Sequence, residues 1–246
     1  MAQTTTFVYK LTVRKIMSRF THAVVSRVPD FVSETSISIN TTKLRKELEL
    51  FCDKLREAGV DVMELAPEQR AAASSLFVGD VAIVSQGIAL VTPTTRASKE
   101  FFVGLTKWTN YEGAVEVAKT FPDSPVTAIK VDGPNHLKNY VSLAAPGIFA
   151  VGQSDEARKI IKRIEREAAY KYHIITLDDE TGANCLNVNG TLMYRGDGQQ
   201  SEKILNLTEF ERCPLDMREM GNCGGILSQY CLLLRKIRLS KSVNEL

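Results

Sequence analysis

Five cysteines and three histidines are the residues of this sequence best suited to nucleophilic or metal chemistry. The cysteines are odd in number and no two have C-x-x-C spacing: they are Cys52, Cys185, Cys213, Cys223 and Cys231. The histidines lie far apart, with none at i, i+4: they are His22, His136 and His173. These spacings favour neither a zinc site nor a disulfide framework. We therefore predict reduced thiols and no bound metal, with one thiol available for nucleophilic chemistry.

Composition excludes several classes of protein. The chain has 246 residues, 44% of them hydrophobic and 24% charged, which is ordinary for a globular protein. Its net charge of +2 exerts no general attraction for nucleic acid or membrane, and no apolar run approaches the roughly 20 residues of a spanning helix. We expect a cytoplasmic protein. Residues 1–19 are basic and free of acids, so we predict an N-terminal extension, with a mitochondrial transit peptide as the alternative.

The elements that must position such side chains alternate between strands and helices. Amphipathic periodicity predicts a helix over 42–58 and a second helix that Ser154 caps. A shorter helix is predicted between residue 109 or 110 and residue 121. Strands are predicted at 23–28, 60–65, 101–105, 126–131, 174–177 and 226–237, with hairpins over 76–91, 140–151 and 186–194. Helices thus recur between pairs of strands, which predicts an α/β protein of repeated strand–strand–helix–strand units. A doubly wound nucleotide-binding fold is the competing prediction, but the sequence lacks the glycine-rich motif that such a fold would need.

Several stretches, in this order and spacing, resemble the dimethylarginine dimethylaminohydrolases. They are residues 21–25, 77–82, 101–110 (FFVGLTKWTN), 136–138 with 142–152, 177–185 (LDDETGANC), 205–212 (LNLTEFER) and 224–236. The resemblance covers nearly everything from residue 20 onward, so it implies a single domain over 20–246. It implies the fold of the guanidino-group-modifying (pentein) superfamily, a five-bladed pseudo-symmetric α/β-propeller. It also implies hydrolysis of methylated arginines to citrulline and a methylamine by a cysteine nucleophile, without a cofactor.

That chemistry calls for particular side chains. A guanidinium carbon is a poor electrophile, so its attack needs a thiolate. Proton transfer to the leaving amine and from water suits a histidine, and the cationic substrate needs carboxylates. The sequence GPNHLK at 133–138 matches the family's G-x-H-L-K with one extra residue. The resemblance therefore implies that His136 is catalytic.

Two registers compete for the nucleophile. The ungapped match of 224–236 is better over its length and places Gln229 where the family has its cysteine. The other register aligns Cys223 with that cysteine. Cys231 lies two residues beyond Gln229 and would share its face if the segment were a strand. Cys223 and Cys231 are therefore both candidates.

The expected substrate pocket has lost charge. The resemblance assigns Asp80 to the guanidinium, Arg96 to the substrate carboxylate and Ile37 to an apolar lid contact. Gly79 and Ser74 stand where the family has acids, and Trp108 stands where it has an arginine. We therefore expect weakened binding of a cationic amino acid.

The largest departure from the family is a gap at Lys99–Glu100. There the family has a helix, a strand and an acidic D-G-G-D motif whose carboxylate partners the catalytic histidine. Roughly forty residues are missing, most of one repeat if five repeats share the chain. One blade of the propeller is therefore expected to be incomplete.

Two functions follow from the resemblance. The first is hydrolysis of asymmetric dimethylarginine and monomethylarginine to citrulline, which would indirectly promote nitric-oxide synthesis. The alternative is a noncatalytic or truncated member that acts as a binding or regulatory protein. The expected partner is a small-molecule substrate, and the expected state is a monomer or weak homo-oligomer.

Overall fold

The computed structural model describes residues 19–33, 38–67, 70–80, 84–85, 88–89, 100–177, 183–196 and 210–235. The helices are α1 (Thr41–Glu57), α2 (Tyr111–Thr120), α3 (Leu137–Tyr140), α4 (Asp155–Glu167) and α5 (Arg218–Asn222). The strands are β1 (His22–Ser26), β2 (Phe31–Ser33), β3 (Asp61–Leu65), β4 (Arg70–Ala72), β5 (Val84–Ser85), β6 (Ile88–Ala89), β7 (Phe101–Leu105), β8 (Val126–Lys130), β9 (Val141–Ala145), β10 (Ile148–Val151), β11 (His173–Thr176), β12 (Cys185–Val188), β13 (Thr191–Arg195), β14 (Glu211–Leu215) and β15 (Leu232–Leu234). Short 3-10 turns cover Ala73–Leu76, Val78–Asp80 and Leu227–Gln229.

Three sheets of the described chain share one strand pattern. In each, the middle strand pairs antiparallel with one neighbour and parallel with the other: β9-β10-β11, β12-β13-β14 and β15-β1-β3. In the last sheet, His22 lies opposite Leu234, so β15 near the end of the chain pairs with its first strand. Smaller sheets join β2 to β4, β5 to β6 and β7 to β8. The predicted strand–strand–helix–strand order is confirmed for β9, β10, α4 and β11, and α1 likewise connects the parallel strands β1 and β3.

The helix predicted over 42–58 is confirmed as α1 within one residue at each end, and the helix that Ser154 caps is confirmed as α4. Asn40 accepts a hydrogen bond from the Lys43 amide at the start of α1, and Ser154 accepts one from Ala157 at the start of α4. The buried face of α1 carries Leu44, Leu48, Phe51 and Leu55. Gly59 follows α1 with a φ of +80°, a left-handed conformation that favours glycine at a helix end.

Polar side chains connect α1 and its surroundings to the rest of the fold at two points. Asn189, in the turn between β12 and β13, accepts from the Phe20 amide and donates to the carbonyls of Phe20 and Ala58. Glu47 on α1 accepts hydrogen bonds from the amides of Glu219 and Met220 at the start of α5. The hairpin and α5 are thereby tied to the largest core, which lies between α1 and the sheet β15-β1-β3.

The predicted strand over 226–237 is wrong in its first half. Residues 227–229 form a 3-10 turn and β15 covers only Leu232–Leu234, while residues 236–237 lie outside the described residues. The Gln229 side chain accepts a hydrogen bond from the Ile226 amide at 2.8 Å and so closes this turn. The alternation of side chains expected for a strand therefore does not relate Gln229 to Cys231. The hairpins predicted over 140–151 and 186–194 are confirmed as β9–β10 and β12–β13. Of the hairpin predicted over 76–91, the pairing of β5 with β6 is confirmed, but its first arm is wrong because residues 76 and 78–80 belong to 3-10 turns.

Candidate active site

Asp80 is the centre of a small polar cluster. It ends the turn Val78–Asp80, and one carboxylate oxygen, Oδ2, accepts a hydrogen bond from Gln229 Nε2 at 2.7 Å. The other oxygen, Oδ1, forms an ion pair with the Lys138 ammonium. Because a cation of the protein already pairs with this carboxylate, a guanidinium ligand must compete with Lys138 for Asp80.

Lys138 belongs to the same short segment as His136. It is largely withdrawn from solvent, and burial lowers its pKa below the ordinary value while the Asp80 carboxylate acts in the opposite sense. The sequence shows position 138 only as part of the HLK match, and its pairing with Asp80 comes from the fold. Only the fold brings α3 against the turn that carries Asp80, so nothing in the local sequence could reveal this contact.

His136 precedes α3 and stacks on Trp108. The two ring centroids are 4.2 Å apart with an angle of 27° between the planes. Burial lowers the pKa of His136 below its ordinary value, and the nearby Asp80 carboxylate opposes that shift while the ammonium groups of Lys138 and Lys107 reinforce it. The imidazole is therefore neutral at pH 7, as a general base for proton transfer must be.

Trp108 covers one face of the imidazole from the solvent side. Its side chain is 52% exposed, and the Lys107 ammonium lies 4.3 Å from its ring centroid. The indole thus contacts both a cation and His136. An aromatic ring in this position offers an apolar surface with an electron-rich face rather than a partner for a carboxylate.

The two candidate thiols, Cys223 and Cys231, are buried in the core. Cys231 is fully buried, and burial raises its pKa to about 12. Cys223 follows α5, is buried beside Tyr230, and burial raises its pKa to about 11. Neither thiol is a thiolate at neutral pH. Of the two, only Cys231 is close enough to Lys138 for their charges to interact.

The structure thus brings together Asp80, His136, Lys138, Trp108 and Gln229, with Cys231 nearby. Cys223 directly follows α5 and contacts Tyr230 in the largest core. Ile37 and Arg96 lie outside the described residues. In the parts of the chain that the structure describes, no group of three or more His, Cys, Asp or Glu side chains is arranged to hold a metal ion. No helix of the described residues is long and apolar enough to cross a membrane.

Known proteins resemble this chain in sequence and in fold. No family model matches the chain. A human protein named putative hydrolase DDAH2 is 28% identical over an alignment that covers 89% of this chain and 95% of that protein, and its bovine counterpart is 26% identical over the same shares. The human alignment spans 273 positions, more than the 246 residues of this chain, so it contains gaps in this chain. This agrees with the predicted internal deletion.

Solved structures establish the fold. The dimethylarginine dimethylaminohydrolase of Pseudomonas aeruginosa, solved with citrulline, superposes with a TM-score of 0.69 at 16% identity over 88% of this chain and all of that chain. The N-terminal domain of ArgZ, a cyanobacterial arginine dihydrolase solved with its substrate, gives a TM-score of 0.69 at 12% identity over 88% of this chain and 98% of that chain. The protein thus has the mixed α/β fold of these enzymes, and its described residues form small sheets of two or three strands. Within this fold class, the sequence similarity to the two proteins named putative hydrolase DDAH2 supports the resemblance to the dimethylarginine dimethylaminohydrolases.

Proposed function

We propose that this protein hydrolyses N-methylated arginines to L-citrulline and a methylamine. The observation that carries the proposal is the approach of Asp80 to His136 on this scaffold: the carboxylate is close enough to act on the pKa of the imidazole. A carboxylate that attracts a guanidinium and a neutral histidine that moves protons are two of the three groups that the reaction requires.

The third group is a thiol. Cys231 is the candidate close to Lys138, the partner of Asp80. His136 would first take the proton of the Cys231 thiol, and the thiolate would add to the guanidinium carbon. The bond from that carbon to the methylated nitrogen would then break as the amine leaves with this proton from His136. Water, deprotonated by His136, would then add to the same carbon, and cleavage of the C–S bond would return the thiol and release citrulline. Because burial raises the pKa of Cys231 to about 12, little thiolate is present at pH 7 and we expect slow turnover.

The same proposal includes the number of blades in the fold and the bounds of the domain. Three sheets of one strand pattern, together with the pairing of β15 with β1, support a five-bladed propeller in which one blade is incomplete. We propose that residues 20–246 form this single domain and that residues 1–19 are an extension. We also propose a cytoplasmic monomer or weak homo-oligomer that binds a small-molecule substrate and no nucleic acid, and needs no cofactor.

The test is citrulline release from asymmetric dimethylarginine by the purified 246-residue chain. We expect release that falls on His136→Gln by about 10²- to 10⁴-fold, the usual contribution of proton transfer. Cys231→Ser should abolish it, whereas Cys213→Ser, a change of another buried thiol away from Asp80, should leave it unchanged. An active chain that is indifferent to His136→Gln would refute the assignment of this residue.

A second candidate function rests on Gln229. Its amide donates to Asp80 at the place where the better sequence register puts the nucleophile. An amide is not a nucleophile toward a guanidinium, so this geometry suits a protein that binds the ligand without turnover. Binding of dimethylarginine that depends on Asp80, without release of citrulline, would favour this candidate over the hydrolase.

A further inference from the structure

Strand β3 lies at the edge of its sheet and exposes two large apolar side chains. It is the last strand of the sheet β15-β1-β3, and among the described residues it pairs with β1 alone. Met63 and Leu65 lie on the same face of the strand, because side chains alternate between faces, and they are 44% and 49% exposed. Adjacent apolar side chains at the surface mark a candidate contact with another molecule.

Strand β14 occupies the same place in its own sheet, but its apolar face is covered. Each of the two strands pairs in parallel with the middle strand of its sheet over five residues. By this register, Cys213 corresponds to Met63, and Leu215 corresponds to the last residue of β3. Cys213 and Leu215 are buried because helix α1 packs against them in the largest core. The described residues between β3 and β7 contain no α-helix, so the equivalent face of β3 stays at the surface.

The backbone of β3 is able to pair with a further strand. The Asp61 amide donates to the Thr21 carbonyl at 2.9 Å, so Asp61 and every second residue after it pair with β1. The N–H and C=O groups of Val62 and Glu64 therefore point to the opposite edge, where no described strand pairs with them. Free backbone groups of this kind are a template for the addition of a strand.

In β14 a proline blocks the corresponding edge. Pro214 corresponds to Glu64 in the register and has no N–H to donate. Proline and lysine on an edge strand are common means by which proteins prevent unwanted strand pairing. Strand β3 contains neither residue, so its edge is open to a strand of suitable register.

We propose that β3 is the contact between two copies of this chain, which pair antiparallel about a two-fold axis at Met63. Val62 of one copy is then opposite Glu64 of the other, and the free N–H and C=O groups of both residues form hydrogen bonds. Met63 faces its own counterpart, so the two methionine side chains are in contact. Asp61 is opposite Leu65 of the other copy, so no charged residue faces a like charge.

This pairing is self-complementary, as a two-fold interface must be. One short strand buries less area than the roughly 1,200 Å² of a stable interface, so the dimer is weak. The proposal names the surface of the weak homo-oligomer and uses none of the residues around Asp80. It does not depend on hydrolysis of methylarginines, so a failure of citrulline release bears on the proposed function alone.

The test is the dissociation constant of the dimer of the full chain, measured by sedimentation equilibrium. Glu64→Pro removes one free N–H, and Glu64→Ala is its matched control because it loses the same carboxylate and keeps the N–H. Met63→Lys and Met63→Glu each place like charges opposite one another across the axis. Leu50→Lys is their control, since Leu50 is 43% exposed on α1 instead. Melting temperatures in dilute solution show which variants are folded.

We expect the wild-type chain to dimerise with a Kd of about 100 μM. Glu64→Pro should weaken association at least about tenfold more than Glu64→Ala does, because only the proline removes a hydrogen bond of the interface. Met63→Lys should weaken association at least about tenfold, and Leu50→Lys should leave it unchanged. A mixture of Met63→Lys and Met63→Glu chains should associate at least about threefold more tightly than either variant alone, because opposite charges then face each other.

Four results would overturn the proposal. Absence of wild-type dimers at about 500 μM would leave this face to another partner, such as a helix of the kind that α1 provides for β14. Equal association of folded Glu64→Pro and Glu64→Ala would place the contact elsewhere. A mixture of the two Met63 variants that associates no better than each alone would show that this residue does not face itself. A lower melting temperature of monomeric Met63→Lys, without such a change in Leu50→Lys, would show that another segment of the same chain covers β3.

Discussion

Gly79 packs so closely against Ser228 that a side chain at position 79 would overlap the Ser228 carbonyl oxygen. The same Cβ would lie 2.8 Å from the Cys231 carbonyl oxygen and 3.1 Å from the Gln229 α-carbon. These neighbours are backbone atoms, which cannot move aside as a flexible side chain can. The conformation of the 228–231 segment therefore requires glycine at position 79, where the resemblance implies an acid.

The first prediction concerns this contact. Gly79→Ala should lower the free energy of unfolding by about 1–3 kcal/mol, the usual cost of overpacking, as measured by urea denaturation. Gly113→Ala is the control, because position 113 lies within helix α2 and a Cβ there would meet two side-chain atoms, the Thr109 methyl group at 3.2 Å and Asn110 Oδ1 at 3.8 Å. We expect that variant to keep or gain stability. Equal effects of the two changes would contradict the packing argument.

The second prediction concerns Lys138. Removing its ammonium leaves the Asp80 carboxylate free for a cationic ligand, so Lys138→Met should tighten binding of asymmetric dimethylarginine by about tenfold, equivalent to about 1.4 kcal/mol. The wild-type chain should bind no better than millimolar. Lys130→Met is the control, since Lys130 pairs with Asp132 rather than with Asp80. Titration calorimetry at constant ionic strength measures both. Weaker binding in Lys138→Met would show that the ammonium takes part in recognition.

The third prediction concerns pH. Burial lowers the pKa of His136 below its unfolded value of 6.5, so the folded chain binds fewer protons than the unfolded chain in this range. The contribution of His136 to stability is therefore complete above pH 6.5 and declines as the pH falls through its folded pKa. Thermal melts of wild type and His136→Gln at a series of pH values measure the difference.

The same titration has an optical signature. Trp108 is the single tryptophan of the chain and stacks on His136, so protonation of the imidazole should change its fluorescence. The midpoint should lie below pH 6.5 in the wild type, and the transition should be absent in His136→Gln. A midpoint above that value would contradict the assigned effect of burial.

The fourth prediction concerns the thiols. Because burial raises the pKa of Cys223 to about 11 and that of Cys231 to about 12, iodoacetamide at pH 7.5 should label neither in the folded chain and both in denaturant. Peptide mapping by mass spectrometry identifies the labelled residue. Rapid native labelling of Cys231 would instead reveal a thiolate there and strengthen its assignment as the nucleophile.

The fifth prediction concerns position 229. Gln229→Cys would place a thiol beside Asp80, in the register that the resemblance favours, and should raise citrulline release by at least about tenfold if this is the nucleophile position. Gln229→Ser is the matched control, because it removes the same amide and adds a weaker nucleophile. Both variants lose the hydrogen bond to Asp80, so their melting temperatures are compared first. Equal citrulline release from the two variants would exclude this register.

Much of the local structure follows from the sequence alone. Leu44, Leu48, Phe51 and Leu55 recur at helical spacing, so α1 was predicted within one residue of its observed start. Asn189 and Gly190 both have positive φ, at 54° and 101°, and the sequence Asn-Gly predicted this turn. These features depend on periodicity and on the conformational preferences of single residues, which the sequence carries directly.

The site depended on contacts that no local pattern encodes. Lys138 and Asp80 are 58 residues apart and Gln229 and Asp80 are 149 apart, so only tertiary packing decided that they share one carboxylate. The apolar run at 226–237 predicted a strand, but the Gln229 side chain and the packing of Gly79 convert its first half into a turn. Burial, which sets the pKa of each thiol and of His136, is likewise a property of the folded chain, because it depends on how many distant atoms exclude water from the group.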